Sequence, residues 1–178
     1  MLRLTGRPAG AVQAFQQALG AHRPYGGRSD STGGRDQLAS VHNELAWLLA
    51  TCPDVKLRDP GRAVASARKA VELEPEVGDF WGALGVARYR LGEWGAAIAA
   101  LEKAESLTPE EDPAIRGFFL AMSHWRLRHE DKARAWYDKA VAWMEKNRPR
   151  DEVLIRLRAE TEALAGLSEL PAEVFVGP

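Results

Sequence analysis

Three alanines recur along the chain at an almost constant spacing, which strongly limits how the sequence can fold. Ala63, Ala97 and Ala133 are 34 and 36 residues apart, and each lies in a segment whose apolar residues return every three or four positions. That periodicity predicts helices. A repeat of this length holds two short helices, which cannot bury their apolar faces alone. The sequence therefore predicts helix pairs that pack against neighbouring pairs.

The segment from residue 80 to residue 109 shows such a pair most clearly. Its first helix is expected to end at Gly92, after which a second apolar face begins. Gly85 and Ala97 lack bulk where two antiparallel helices must come close, and Leu101 fills the space beside them. We therefore expect Gly85 and Ala97 to lie close together.

This segment resembles the tetratricopeptide repeat (TPR) in the order and spacing of Trp81, Leu84-Gly85, Ala97, Leu101, Ala104 and Pro109. The resemblance implies an all-α fold, a TPR-type α-solenoid of antiparallel helix pairs with a C-terminal capping helix. We expect repeats at about residues 37–75, 78–111 and 112–147 and the capping helix at 151–166. Together they form one predicted TPR domain over residues 37–167.

The first repeat has a turn five residues longer than the turn of the second repeat. Asp59-Pro60 closes this turn, and the pair predicts an N-cap followed by proline at the first helical position. Cys52 lies at the start of this turn, just before Pro53, and is the only cysteine in the chain. It excludes an internal disulfide, and we expect it to be a small buried apolar residue.

The flanking segments differ from the repeats. Residues 1–19 match the second helix of a repeat whose first helix is missing, which predicts an orphan helix of a truncated repeat. The alternative is a frayed amphipathic helix docked on the next repeat. Residues 20–36 are rich in Gly, Arg and Ser and predict a flexible linker. The tail at 168–178 is expected to be either disordered or tucked against a groove.

A closer resemblance concerns the TPR regions of planctomycete multidomain proteins, which are often linked to a serine/threonine kinase domain. It is carried by residues 45–54, by Phe118-Phe119-Leu120-Ala121-Met122 and by residues 136–141. The sequence contains no glycine-rich nucleotide loop, no His-Arg-Asp loop and no Asp-Phe-Gly motif of a kinase. The resemblance implies that this chain is related to such proteins. The missing motifs imply that the sequence itself has no kinase activity.

The net charge and the hydropathy of the sequence limit the classes of partner that we expect the chain to bind. The formal net charge is −1, so no overall positive surface is available to hold nucleic acid or anionic lipid. No apolar run approaches the roughly 20 residues of a membrane-spanning helix. We expect a cytoplasmic chain that binds neither nucleic acid nor membrane.

No set of reactive groups converges in the sequence. The four histidines, His22, His42, His124 and His129, form no familiar metal-ligand spacing with one another or with the cysteine. Acidic residues such as those at 110–112 precede a helix and complement its dipole. We therefore predict no catalytic, cofactor-binding or metal-binding residues and no enzyme activity.

The resemblance implies a concave groove lined by the first helices of the repeats. The residues predicted to line it are Asn43, Trp47, Asp79, Val86, Tyr89, Arg90, Phe118, Met122, Trp125 and Arg126. Gly82, Ala83 and Val86 stand where chaperone-binding TPR domains carry a carboxylate clamp, so we expect an apolar peptide or an amphipathic helix as ligand. The alternative is that the last helix or the tail already fills the groove.

These observations predict a non-enzymatic protein–protein interaction scaffold whose partner the sequence does not identify. A second reading is the detached regulatory or partner-recruiting TPR tail of a multidomain signalling protein such as a kinase. An enzyme is a third reading, disfavoured because no reactive groups converge. Self-association through an exposed N-terminal helix is a further partner prediction.

Overall fold

The computed structural model describes Gly10, residues 32–109 and residues 113–166. Helices hold most of these residues, and none of them lies in a strand. The helices are α1 Thr32–Thr51, α2 Pro60–Leu73, α3 Gly78–Leu91, α4 Trp94–Leu107, α5 Pro113–Arg126, α6 Glu130–Asn147 and α7 Glu152–Ala165. The predicted orphan helix apart from Gly10, most of the predicted linker and the predicted tail lie outside the described residues.

Contacts between Cα atoms divide the chain into two compact units, Met1–Pro109 and Glu110–Pro178. Helices α1 to α4 belong to the first, the amino-terminal unit, and α5 to α7 belong to the second, the carboxy-terminal unit. The single domain predicted for residues 37–167 therefore spans both units. In a repeat array each repeat contacts only its neighbours, so the period in the sequence does not show where such a division falls.

Helix α1 begins earlier than the sequence analysis predicts. Its first residue is Thr32, so residues 32–36 are helical and do not belong to the predicted linker. The Arg35 guanidinium in the first turns of α1 donates a 3.1 Å hydrogen bond to the Leu73 carbonyl, the last residue of α2. This hydrogen bond joins the start of α1 to the end of α2. It stabilises α1 in a segment whose composition favours a loop.

The two helices of each pair in the amino-terminal unit run antiparallel. In the first pair, the Asp59 N–H before α2 donates to the Leu49 carbonyl near the end of α1, at 3.1 Å. The Asp59 side chain also accepts from the Arg62 N–H at 3.0 Å, and Pro60 occupies the first turn, as the sequence predicts. Between α1 and α2, Val55–Leu57 forms a short 3-10 helix in the longer turn.

Close approach of α3 and α4 depends on glycine. A Cβ atom on Gly85 would lie 2.5 Å from Leu101 Cγ and 3.2 Å from the Ala97 carbonyl oxygen. Both distances are shorter than ordinary van der Waals contact, so no larger residue fits without movement of the helices. The predicted proximity of Gly85 and Ala97 is confirmed.

A core of small residues joins all four helices of the amino-terminal unit. Its buried members are Ala46, Ala67, Ala83, Leu84 and Ala100, and Trp47, Val64, Val71 and Trp81 pack around them. Alanine brings little side-chain volume, so the helix backbones approach closely and the larger residues fill the edges. In this arrangement α1 and α3, the first helices of the two repeats, also contact each other.

The carboxy-terminal unit repeats the helix pair and adds α7. A Cβ atom on Gly117 of α5 would lie 2.9 Å from the Ala140 Cβ of α6. The Phe118 and Tyr137 rings meet edge to face with centroids 6.2 Å apart. Asp151 caps the start of helix α7, and its carboxylate accepts from two backbone N–H groups. The helix packs chiefly against α5. The predicted all-α fold with antiparallel helix pairs is confirmed.

A residue in the left-handed region ends α3. Gly92 has a φ of 87°. Its N–H donates to the Tyr89 carbonyl and the Glu93 N–H reaches back to the Arg88 carbonyl, both at 3.0 Å. These two bonds form the Schellman motif, in which glycine avoids the strain that a Cβ atom causes.

The turn after α5 has the same hydrogen bonds but lacks the glycine. Arg128 has a φ of 61° and donates its N–H to the Trp125 carbonyl at 3.0 Å. The His129 N–H donates to the His124 carbonyl at 2.9 Å. An L-residue in this region is disfavoured by about 1 to 2 kcal/mol, so the third repeat keeps the turn in spite of backbone strain.

Substitution of Gly85 tests the helix contact. Gly85→Ala is expected to lower the free energy of unfolding by about 1 to 3 kcal/mol, because the new methyl group overlaps Leu101. Gly82→Ala in the same helix is the matched control. Nothing lies within 4 Å of its Cβ position, so it is expected to gain up to about 1 kcal/mol from helix propensity. Urea denaturation measures both, and equal effects of the two changes would contradict the contact.

The two turns allow a reciprocal test. Arg128→Gly is expected to raise the free energy of unfolding by about 0.5 to 1 kcal/mol, since relief of strain exceeds the extra freedom of glycine in the unfolded chain. Gly92→Ala is expected to lower it by about 1 kcal/mol. No atom lies within 4 Å of the Gly92 Cβ position, so the backbone alone opposes that change. Thermal melts measure both variants. If Arg128→Gly were the less stable of the two, the assignment of backbone strain to Arg128 would be wrong.

Candidate functional site

The ten residues predicted to line a groove fall into both units, and the structure places them at different depths. Four of them are buried and therefore closed to a partner in this conformation: Val86, Tyr89, Phe118 and Met122. Asn43, Trp47, Arg90 and Trp125 are half-buried, and Asp79 and Arg126 are exposed. That the ten residues line one groove stays a prediction, and the four buried residues present little surface to a ligand.

In the amino-terminal unit, the accessible members lie on two helices that contact each other. Asn43 and Trp47 are one turn apart on α1 and hence on one face of it. Asp79 and Arg90 lie near the start and the end of α3. We call the surface of these four residues the α1–α3 face.

Trp47 is the largest side chain of the α1–α3 face. It packs against the core cluster of Ala46, Ala67, Ala83, Leu84 and Ala100 and stays partly accessible. One side of the indole is therefore held by the protein, and the remainder is available. Arg90 adds a charge at the far end of α3, where its guanidinium lies 5.5 Å from the centre of the Tyr89 ring.

In the carboxy-terminal unit, two predicted members remain accessible, Trp125 and Arg126 at the end of α5. The Trp125 ring meets Tyr137 edge to face at a centroid distance of 6.0 Å. Phe118 and Met122, earlier on α5, have no exposed surface. Since α7 packs chiefly against α5, the third repeat offers a partner less surface than the repeat register alone predicts.

A polar network holds α7 in place. The Tyr137 hydroxyl of α6 donates a 2.5 Å hydrogen bond to Glu162 of α7. Arg158 donates to the same Glu162 oxygen at 2.8 Å and to Glu145 of α6 at 3.0 Å. Burial, and after it the Glu162 hydrogen bond, raises the pKa of the Tyr137 hydroxyl well above its usual value. The hydroxyl stays protonated at neutral pH, so it continues to donate to α7.

Two histidines meet at the turn between α5 and α6. The Nδ1 atoms of His124 and His129 are 3.3 Å apart. His124 is only 3% exposed, whereas His129 is exposed. Burial, followed by the positive charges of His129 and Lys132, lowers the pKa of His124, which favours its neutral form.

Sequence reasoning missed this pair because it compared only familiar ligand spacings. The alignment of the repeats would have indicated this pair, because it shows which two residues of the turn contact each other. In the Schellman motif the third residue from the helix end contacts the residue directly after the left-handed position. Those two positions in the turn after α5 are His124 and His129.

The structure also bears on metal and membrane binding. Over residues 32–109 and 113–166, no three His, Cys, Asp or Glu side chains are grouped so that they could hold a metal ion. In the same part of the chain, every helix is too short or too polar to span a bilayer. Cys52 is buried with a free thiol, as predicted.

Comparison with known proteins supports the repeat assignment. The family described as "Tetratricopeptide repeat" matches residues 54–113, a segment that holds α2, α3 and α4. The crystal structure of MamA is similar, with a TM-score of 0.54 and 22% sequence identity over 93% of this chain and 82% of that chain. At this identity the likeness concerns the fold. No curated protein matches the sequence.

These findings bear out the TPR-type, all-α fold. The closer resemblance to kinase-linked planctomycete proteins receives no support from them and stays a prediction.

Proposed function

We propose that the protein is a non-enzymatic scaffold that binds a helix or an extended peptide segment of a partner protein on the α1–α3 face. The observation that carries the proposal is Trp47, which is anchored in the core on one side and accessible on the other. The tetratricopeptide repeat match over residues 54–113 supports a role in protein–protein interaction.

An aromatic residue in this setting suits a binding anchor. Tryptophan and arginine are enriched among the residues that dominate the free energy of binding at protein interfaces. Because the core already holds Trp47, little side-chain freedom is lost when a ligand covers the ring. Asn43 lies one turn away, and the charges of Asp79 and Arg90 lie on the adjacent helix. The face thus combines an apolar centre with polar groups around it, the usual arrangement of an interface.

The ligand class follows from the same residues. The face contains one acidic and one basic side chain, so its charge does not select a strongly charged partner. An amphipathic helix or an apolar peptide would cover Trp47 with its apolar side and leave its polar groups to the rim. A cytoplasmic location is part of the proposal and is supported by the single, free cysteine. The kinase-tail alternative has no specific support among the described residues.

Partner capture combined with single substitutions tests the proposal. The full chain is used to capture proteins from a cell lysate, the captured proteins are identified by mass spectrometry, and the affinity of the purified partner is then measured by calorimetry. Trp47→Ala and Arg90→Glu are each expected to weaken binding at least about tenfold, or about 1.4 kcal/mol. Arg90→Glu avoids the loss of core packing that Trp47→Ala brings.

Trp143→Ala is the matched control for the aromatic substitution. Trp143 is also half-buried but lies on α6, where Arg148 is 5.6 Å from its ring centre. Binding is expected to be unchanged in this variant. Capture of no specific partner, or equal affinity in the wild type, Trp47→Ala and Arg90→Glu, would overturn the proposal.

A further inference from the structure

The turn between α5 and α6 brings together two imidazoles that the proposed binding face does not use. The Schellman hydrogen bonds fix the backbone on both sides of the pair, with the His129 N–H bound to the His124 carbonyl at 2.9 Å. The fold itself does not require histidine here. The equivalent positions in the turn after α3 are Arg88 and Glu93, which form the same backbone bond at 3.0 Å.

The two rings present ligand atoms to each other. The Nδ1 atoms are 3.3 Å apart and the ring centroids are 5.5 Å apart, so both nitrogens lie on the sides of the rings that face each other. Zinc binds histidine nitrogen at about 2.0 to 2.1 Å in tetrahedral geometry, which sets two ligand nitrogens about 3.3 Å apart. The observed separation fits two ligands of one ion.

We propose that His124 and His129 form a two-histidine site for a divalent transition-metal ion of the class that prefers imidazole ligands, such as zinc. Each histidine would supply its Nδ1 lone pair, with the ring proton on Nε2. Water molecules would complete the coordination, because the described residues add no third His, Cys, Asp or Glu ligand.

The surroundings suit an ion that enters from solvent. His124 is buried and held by the helix, whereas His129 is exposed and leaves an open side. A histidine binds a metal ion as the neutral imidazole, since the ion and the proton compete for the same lone pair. Lys132 contributes a nearby positive charge, and its side chain is exposed to water.

A shared proton is the competing explanation for the short distance. An Nδ1–H group on one ring that donates to the Nδ1 lone pair of the other would also bring the two atoms to 3.3 Å. The two explanations differ in one respect, because a proton-sharing pair gives no reason for a metal ion to bind at the turn.

Calorimetric titration with zinc chloride distinguishes them. The full chain is prepared without an affinity tag, treated with a chelator, dialysed and titrated at pH 7.5. One zinc ion per chain is expected to bind saturably, and His129→Gln is expected to weaken that binding at least about tenfold. His129 is exposed, so its substitution is expected to leave the fold intact. Variants of the other two histidines, His22→Gln and His42→Gln, are the controls and should bind as the wild type does.

A second measurement locates the ion. In long-range ¹H–¹⁵N spectra, zinc is expected to shift the Nδ1 resonances of both His124 and His129. The proposal is overturned if no saturable binding occurs below about 1 mM zinc, which is the result of a shared proton only. It is equally overturned if zinc binds the wild type and His129→Gln with the same affinity, or if neither resonance moves.

Discussion

The close approach of paired helices is the constraint on which the structure depends. Gly85 lets α3 and α4 meet where any Cβ atom would strike Leu101, and Gly117 does the same for α5 against Ala140 of α6. Short turns follow from this proximity, because the end of one helix lies beside the start of the next. The small residues of the core then bring α1 and α3 together, so that side chains of two repeats pack in one cluster.

Both candidate sites follow from that arrangement. The α1–α3 face exists because the first helices of two repeats lie side by side, with Trp47 supported by the alanine-rich core beneath it. The histidine pair exists because the turn after α5 repeats the backbone of the turn after α3. In both cases the repeat fixes the backbone, and the side chains that differ between repeats supply the chemistry. An interaction module and a second, independent site are therefore compatible in one chain.

The period of the alanines was enough to predict the helix pairs, and individual residues predicted the rest: Asp59-Pro60 the cap, Gly92 the helix end, and the lack of side-chain bulk at Gly85 the helix contact. These features depend on residues close in sequence or within one repeat. Burial of Phe118 and Met122 was not predicted from the repeat register, because the register gives a residue's position on α5 and not how deeply its neighbours cover it. The start of α1 at Thr32 was missed for a similar reason, since its stabilising contact comes from Leu73, far along the chain.

The close packing of α3 against α4 depends on the absence of a side chain at Gly85. A double-mutant cycle on Gly85 and Leu101 measures this most directly, using the free energy of unfolding of the wild type, Gly85→Ala, Leu101→Ala and the double variant. Shortening Leu101 removes the atoms that the new methyl group would meet. Gly85→Ala is expected to lower the free energy of unfolding by at least about 1 kcal/mol less in the Leu101→Ala background than in the wild type. Additive effects, within about 0.3 to 0.5 kcal/mol, would contradict it.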